Sequence, residues 1–296
     1  MFVCSLLFFL RSKLQHERFV MLVENGVVNF ALVRLVALNL SLDAKIIWSP
    51  QSLDALLQEE WVKAKEGVFR AQLGGRFPTD EEMELLYRLG ADAILIDSCV
   101  KYGGTLLLGA TLKAVTRRVD FMHKGASVPE PVYLLGSNRK LDPKLEMPEH
   151  VPAILEETGA LFADVWKEDA AGLSWPASEI EMLGRVIKWN QVVWDVRPVS
   201  APDGQKPDGS VRLANTAETV REWLKVAATP GHYLIVSSQP FCEGQKMAVE
   251  RAVKEAGEEG YTFDVCGPAA PPLPLSRWLD NLAKQLWEEV QLLPKG

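Results

Sequence analysis

The chain has 296 residues, 48% of them apolar and 24% charged, which is enough for a sizeable buried core and excludes intrinsic disorder as the main state. Thirty-two basic against 39 acidic residues leave a net charge of −7, so nothing supports a protein that coats nucleic acid by electrostatics. Cys4, Cys99, Cys242 and Cys266 lie far apart without a C-x-x-C pair, which suggests neither a zinc knuckle nor a disulfide framework.

Residues 1–10 (MFVCSLLFFL) are apolar but too few to span a bilayer as a helix, and they lack the positive start and small-residue cleavage site of a secretory signal. Residues 19–42 form a second apolar stretch. Glu24, Asn25 and Arg34 read there as the wet face of a packed amphipathic helix, with a membrane anchor as the other reading. A cytoplasmic protein is expected, and membrane association through residues 1–42 is the alternative. Leu53, Leu56, Leu57 and Trp61 fall at helical spacing and predict a helix over 52–65. Thr79 and Glu82 make a capping-box pattern for a helix that runs to Leu89 and ends at Gly90.

From there short apolar runs alternate with amphipathic ones. Strands are predicted over 92–96 (DAILI, broken at Asp97), 131–135 (PVYLL), 191–196 (QVVWDV), 232–236 (HYLIV) and 261–265. Helices are predicted over 106–123, 178–190, 215–227, 243–256 and 275–292, with Ser178 and Glu181 spaced as a second capping box. This alternation predicts a Rossmann-like three-layer α/β sandwich with a mostly parallel five-stranded sheet over residues 91–296, behind an N-terminal helical extension over 1–90. Residues 197–213 read as one long irregular segment over the strand carboxyl ends, a functional flap or a disordered excursion.

Most reaction signatures are absent. There is no G-x-G-x-x-G, no P-loop and no G-x-S-x-G elbow. Ser98 with Lys101 and Ser137 with Lys140 match S-x-x-K, but the companion S-D-N and K-T-G elements are missing, and both read as loop residues. His16, His123, His150 and His232 are isolated, so no metal is expected. The nine tryptophans sit mostly at core spacing rather than among basic neighbours.

Position is what remains. In an open parallel sheet, ligands bind at the strand carboxyl ends. Asp97 and Glu179 are the acid–base candidates there. Gly136, Ser137, Asn138, Arg139, Ser237, Ser238 and Gln239 are the ligand-binding candidates, with Arg139 as an anion clamp. Asn215 and Thr216, at a helix start, are candidates for positioning the ligand. Gly and Ser at strand ends also simply make turns, and Ser178 and Asn215 are good N-caps. The expected partner is a small anionic or nucleotide-like molecule, with no nucleic acid.

The order of these segments resembles the SanA/YdcF/ElyC family. In that family a D-A-I-V-V-L strand leads on to a strand ending in Gly. A Glu-containing helix start, an N-T-x-E-[NT] helix start and a strand ending in a Thr/Ser loop follow. The matching positions are residues 92–96, Gly136, Glu179, Asn215-Thr216-Ala217-Glu218-Thr219 and Ser237-Ser238, so the resemblance covers residues 91–266. Two departures stand out. Family members often carry a Gly-rich loop and an Arg soon after the first strand, where Asp97-Ser98-Cys99-Val100-Lys101 stands here. An aromatic or His followed by Arg at a later strand end is replaced by Ser238-Gln239-Pro240-Phe241. Arg139, Arg212 or Lys246 would then hold an anion. The resemblance implies a fold and a ligand site more than a reaction, with S-adenosylmethionine as the ligand of one soluble branch; a transferase or hydrolase acting on the bound molecule is the leading expectation. The resemblance equally implies a non-catalytic envelope-maintenance or scaffold protein, as in membrane-anchored branches.

Overall fold

The computed structural model describes residues 21–43, 45–62, 73–96, 99–125, 128–158, 175–205, 209, 211–227 and 229–293. Their strands in chain order are β1 (Val23–Glu24), β2 (Val27–Val28), β3 (Thr105–Leu108), β4 (Val132–Ser137), β5 (Val196–Ala201), β6 (Gly204–Gln205), β7 (Val211–Arg212), β8 (His232–Val236) and β9 (Thr262–Cys266). Their α-helices are α1 (Phe30–Leu40), α2 (Pro50–Glu60), α3 (Asp80–Arg88), α4 (Leu112–Lys124), α5 (Val151–Thr158), α6 (Glu179–Trp189), α7 (Thr216–Ala227), α8 (Cys242–Glu255) and α9 (Leu275–Leu292). They divide into two compact units, one within Met1–Ile94, Gln239–Met247 and Ala269–Gly296, the other within Leu95–Ser238 and Ala248–Pro268.

The first unit is helical. Asn29 accepts from the Ala31 N–H to open α1, and Ser49 accepts from Ser52 ahead of Pro50 to open α2. Thr79 and Glu82 close a full capping box on α3. Leu32, Leu35, Leu53, Leu57, Leu85 and Leu86 share one core with Trp278, Leu282 and Leu286 of α9. Residues 21–42 are not one helix, which corrects the reading of the 19–42 stretch as a packed amphipathic helix. Asn25 and Gly26 both take positive φ (50° and 78°), the signature of a tight hairpin, and they pair β1 with β2 before α1 begins. Among the described residues no helix is long and apolar enough to cross a membrane.

The second unit is a Rossmann-like three-layer α/β sandwich. Its five strands run parallel in the order β5-β4-β3-β8-β9. Pleating sends alternate residues to opposite faces. Val132 and Leu134 of β4, with Leu234 and Val236 of β8, pack against Leu112, Val115 and Val119 of α4 and Met182, Leu183 and Val186 of α6. Tyr133 and Tyr233 face the other way and meet the ring of Trp223 on α7, with centroids 6.1 and 4.9 Å away.

Two strands lie elsewhere than the sequence suggested. Residues 92–96 form no named strand, Ile94 makes only an isolated bridge, and Leu95 is 58% exposed. The first strand is Thr105–Leu108, which the sequence placed at the start of a helix; all four residues are buried between β4 and β8. Both runs are short and apolar, and periodicity alone does not separate a buried strand from a buried helix turn. The third strand begins at Val196 rather than ending there, because Val193 is 96% exposed. The supposed irregular segment 197–213 therefore holds most of an edge strand, and its described remainder includes the β6–β7 pair. Pro198 disguised that strand, since proline fits a sheet only at an edge, which is where β5 lies.

A buried polar cluster at the carboxyl edge of the sheet

Counted along the chain, the five strands lie in the order 3-2-1-4-5. The chain builds outward from β3 to β5, then returns to lay β8 on the other side of β3. This reversal makes the carboxyl ends of β3 and β8 the topological switch point, the place where open α/β sheets bind ligands. On the β3 side stands the turn Gly109-Ala110-Thr111, which enters α4. Thr111 is the N-cap residue, and its side chain makes no capping bond. On the β8 side stand Ser237 and Ser238, both buried.

Arg118 joins the two sides. It lies within α4 and is only 4% exposed. Its Nη1 donates to the carbonyls of Leu108 (2.7 Å) and Gly109 (3.3 Å). Its Nε donates to Ser238 Oγ (3.0 Å) and its Nη2 to Ser237 Oγ (3.4 Å).

Arg139 holds the same turn from the β4 side, donating from Nη2 to the Ala110 carbonyl at 3.1 Å. Glu146 meets its guanidinium with both oxygens, at 2.8 and 2.9 Å, and Glu179 Oε1 lies 3.2 Å from Nη2. Such a bidentate fork is the strongest form of ion pair between these groups. Burial alone would favour the neutral form of Arg139. Hydrogen bonds to Glu146 and the charges of Glu179 and Glu146 outweigh it and push the guanidinium pKa up. Glu146 also accepts from the main-chain N–H groups of Leu112 (3.2 Å) and Asp142 (2.7 Å). Glu179 Oε2 accepts from the Ser137 N–H (3.0 Å) and Oγ (2.7 Å).

Two glycines make room for this cluster. A Cβ on Gly109 would stand 2.9 Å from the Glu179 carboxyl and from the Leu135 carbonyl. A Cβ on Gly136 would stand 3.1 Å from the Ile180 backbone. Close approach, not backbone conformation, is what asks for glycine at both positions.

The sequence candidates separate into three groups. Ser137, Arg139 and Glu179 form one buried cluster with Gly136 at its edge, while Ser237 and Ser238 share Arg118. Asn138 is exposed and accepts from Ser200 Oγ at 2.7 Å. Asn215 caps α7, its Oδ1 accepting from Glu218 N at 3.1 Å, and the Thr216 carbonyl accepts from Thr219 Oγ1 at 2.9 Å. Gln239 is buried in the first unit, and Asp97 lies outside the described residues. Sequence reasoning missed Arg118, Glu146 and Gly109. Arg118 is buried by Ser237 and Ser238, about 120 residues along the chain, and Glu146 by Arg139, Asp142 and Leu112, contacts that no local pattern signals.

Among the described residues no three His, Cys, Asp or Glu side chains cluster to hold a metal ion. The cluster offers hydroxyl groups, a helix amino terminus and a guanidinium at the switch point, a set suited to an anionic group. Compared with family models, with curated proteins and with solved structures, the chain gives no match in any of the three.

Proposed function

We propose that the protein binds a small anionic or nucleotide-like ligand at the switch point between β3 and β8. The observation that carries this reading is Arg118, which spans the switch point and holds both the Gly109 turn and the Ser237-Ser238 pair. A ligand phosphate or carboxylate would replace the serine hydroxyls as acceptor, while the amino terminus of α4 adds a favourable dipole. S-adenosylmethionine and nucleotides are the first ligands to try. Under a transferase or hydrolase reading, Glu179 is the acid–base residue within the described cluster, and Asp97 is the candidate from the sequence.

The family resemblance loses its first matched segment, because residues 92–96 are not the first strand of the sheet. With that strand at Thr105–Leu108, Gly109-Ala110 and then Arg118 follow it, in the place where family members carry a Gly-rich loop and an Arg.

A second reading rests on the saturation of Arg139. With Glu146, Glu179 and the Ala110 carbonyl around it, the guanidinium reads as part of a structural network, which suits a non-catalytic scaffold. A scaffold tethered through residues 1–42 would be recovered with membranes on fractionation, and recovery in the soluble fraction opposes it.

A thermal-shift panel of nucleotides, S-adenosylmethionine and sugar phosphates tests the main reading. A ligand at a hundred times its Kd stabilises the fold by about 2.7 kcal/mol. That raises Tm by roughly 4–5 °C for a protein of this size. The Arg118→Lys variant, which keeps the charge but loses the guanidinium fork, is expected to lose more than half of that shift. A flat response across the whole panel would defeat the reading.

A further inference from the structure

A second cluster of chemically competent side chains stands at the amino edge of the sheet, where β8 and β9 begin, at the opposite end of the strands from the switch point. His232 and Thr262 are register partners on these parallel strands, and Asp264 follows Thr262 by two residues. Pleating sends all three side chains to one face. His232 Nδ1 lies 2.8 Å from Thr262 Oγ1, and its Nε2 lies 3.0 Å from Asp264 Oδ2. A hydroxyl, an imidazole and a carboxylate thus stand in a line, in the order that base-assisted nucleophiles use. Their distance along the chain, 30 residues from His232 to Thr262, is why the histidine looks isolated in the sequence.

The surroundings fix which way the protons point. A carboxylate only accepts hydrogen bonds. Asp264 Oδ2 accepts from the Tyr102 hydroxyl at 2.9 Å and from the Nε2–H of His232. With its proton on Nε2, the neutral imidazole presents a lone pair at Nδ1, and the Thr262 hydroxyl donates to it. The Tyr102 ring stacks on the imidazole, with centroids 5.0 Å apart and planes 18° apart, and the Gly103 N–H donates to the His232 carbonyl at 2.7 Å. The base is held at both nitrogens, on one face and through its own main chain, so it is positioned in advance. The nucleophile end of the line is open. Thr262 is exposed, and the side chains of His232 and Asp264 each keep 29% of their surface.

We propose that Thr262 is a base-assisted acyl acceptor for small activated esters, with His232 as its general base and Asp264 and Tyr102 as positioning residues. Thr262 Oγ1 adds to the acyl carbon while its proton passes to His232 Nδ1. The bond from that carbon to the leaving oxygen then breaks, and the leaving group departs as its anion. An ester at Thr262 is the product, the proton on His232 passes to water, and nothing is oxidised or reduced. The imidazolium formed on the way lies against the Asp264 carboxylate, which stabilises it. The switch-point ligand takes no part in this step, so either proposal can fail alone.

The probe is p-nitrophenyl acetate, added to the full chain. Release of p-nitrophenolate is expected together with an acetyl group on Thr262, located by mass spectrometry of the digested protein. Thr262→Ala, a change at an exposed side chain, is expected to abolish labelling at that position, and Thr262→Ser to keep it. His232→Ala is expected to slow labelling by about 100-fold, and free imidazole to restore part of the rate, which a merely structural histidine would not allow. Asp264→Asn, whose amide no longer sets the tautomer, is expected to slow it by about tenfold or more, and Asp264→Glu to recover part of that loss. Circular dichroism and Tm verify that each variant is folded. The proposal is overturned if Thr262 carries no acetyl group in the full chain, or if folded His232→Ala or Asp264→Asn acquires it at the wild-type rate.

Discussion

At Glu146 one carboxylate answers four donors, two from the Arg139 guanidinium and two from the main-chain N–H groups of Leu112 and Asp142. Removing it leaves a buried guanidinium with half its compensation, and breaking a buried pair in this way costs about 3–5 kcal/mol. Glu146→Ala should show that loss in urea unfolding, whereas Lys113→Ala should cost under about 1 kcal/mol, since its partnership with Glu157 is exposed. Glu82 behaves differently. The hydrogen bond from Arg76 holds its carboxyl at about 2, below the ordinary 4.5, with burial opposing and the Thr79 capping bonds assisting. The folded value lies below the unfolded one, so this stabilisation is complete above pH 4.5 and is lost as pH falls from there towards 2. Arg76 is 56% exposed, so solvent screening keeps the effect modest. A Glu82→Gln variant should lose stability relative to wild type at pH 7, and the gap should narrow when Tm is measured at pH 3.

Elements set what single residues are allowed to be, and three glycines make the comparison. A methyl on Gly109 must push against the Leu135 carbonyl and one on Gly136 against the Ile180 backbone, neither of which is a flexible side-chain end. Each Gly→Ala change there should cost about 1–3 kcal/mol. Gly184, inside α6 with open space around it, should gain about 0.5–1 kcal/mol as Ala, because helix propensity is the only effect left. Equilibrium unfolding of the three variants checks the contrast. The same scale explains what the sequence made legible. HYLIV over 232–236 and the helix over 275–292 stand at the bounds their patterns indicate, since each carries an unbroken period and clear stops. The capping pairs at Thr79 and Ser178 also mark real helix starts. TLLL over 105–108 was missed because four apolar residues carry too little period to separate strand from helix. The edge strand was missed because Pro198 and alternating exposure look like a loop. At the cluster, Ser137, Arg139 and Glu179 were visible as strand-end and helix-start residues. Arg118 was not, since only the pairing of β3 with β8 brings Ser237 and Ser238 to it, and Glu146 was not, since it lies in an aperiodic run between β4 and α5.

Across the whole molecule, sequence order and spatial order part company in the first unit. The Glu289 carboxylate on α9 accepts from the N–H groups of Leu22 (2.9 Å) and Val23 (2.6 Å), joining positions 267 and 266 residues apart. Gln58 reaches the Ala283 carbonyl at 2.9 Å across a similar interval. Burial pushes the Glu289 carboxyl up, against the hydrogen bonds that pull it down. Glu289→Ala should therefore lower Tm by several degrees, as expected when two buried N–H groups lose their acceptor at roughly 1–3 kcal/mol each. The five strands of the sheet unit are complete by Cys266. On a ribosome, which emits the chain from its amino end, this arrangement sets a timetable. All five parallel strands have been synthesised while the helices of the first unit still lack Trp278, Leu282 and Leu286 for their core. A nascent chain halted on a spacer long enough to carry Pro268 clear of the ribosomal exit tunnel should accordingly keep its sheet residues protected from a protease while the helices of the first unit are cut, and their protection should arrive only with α9.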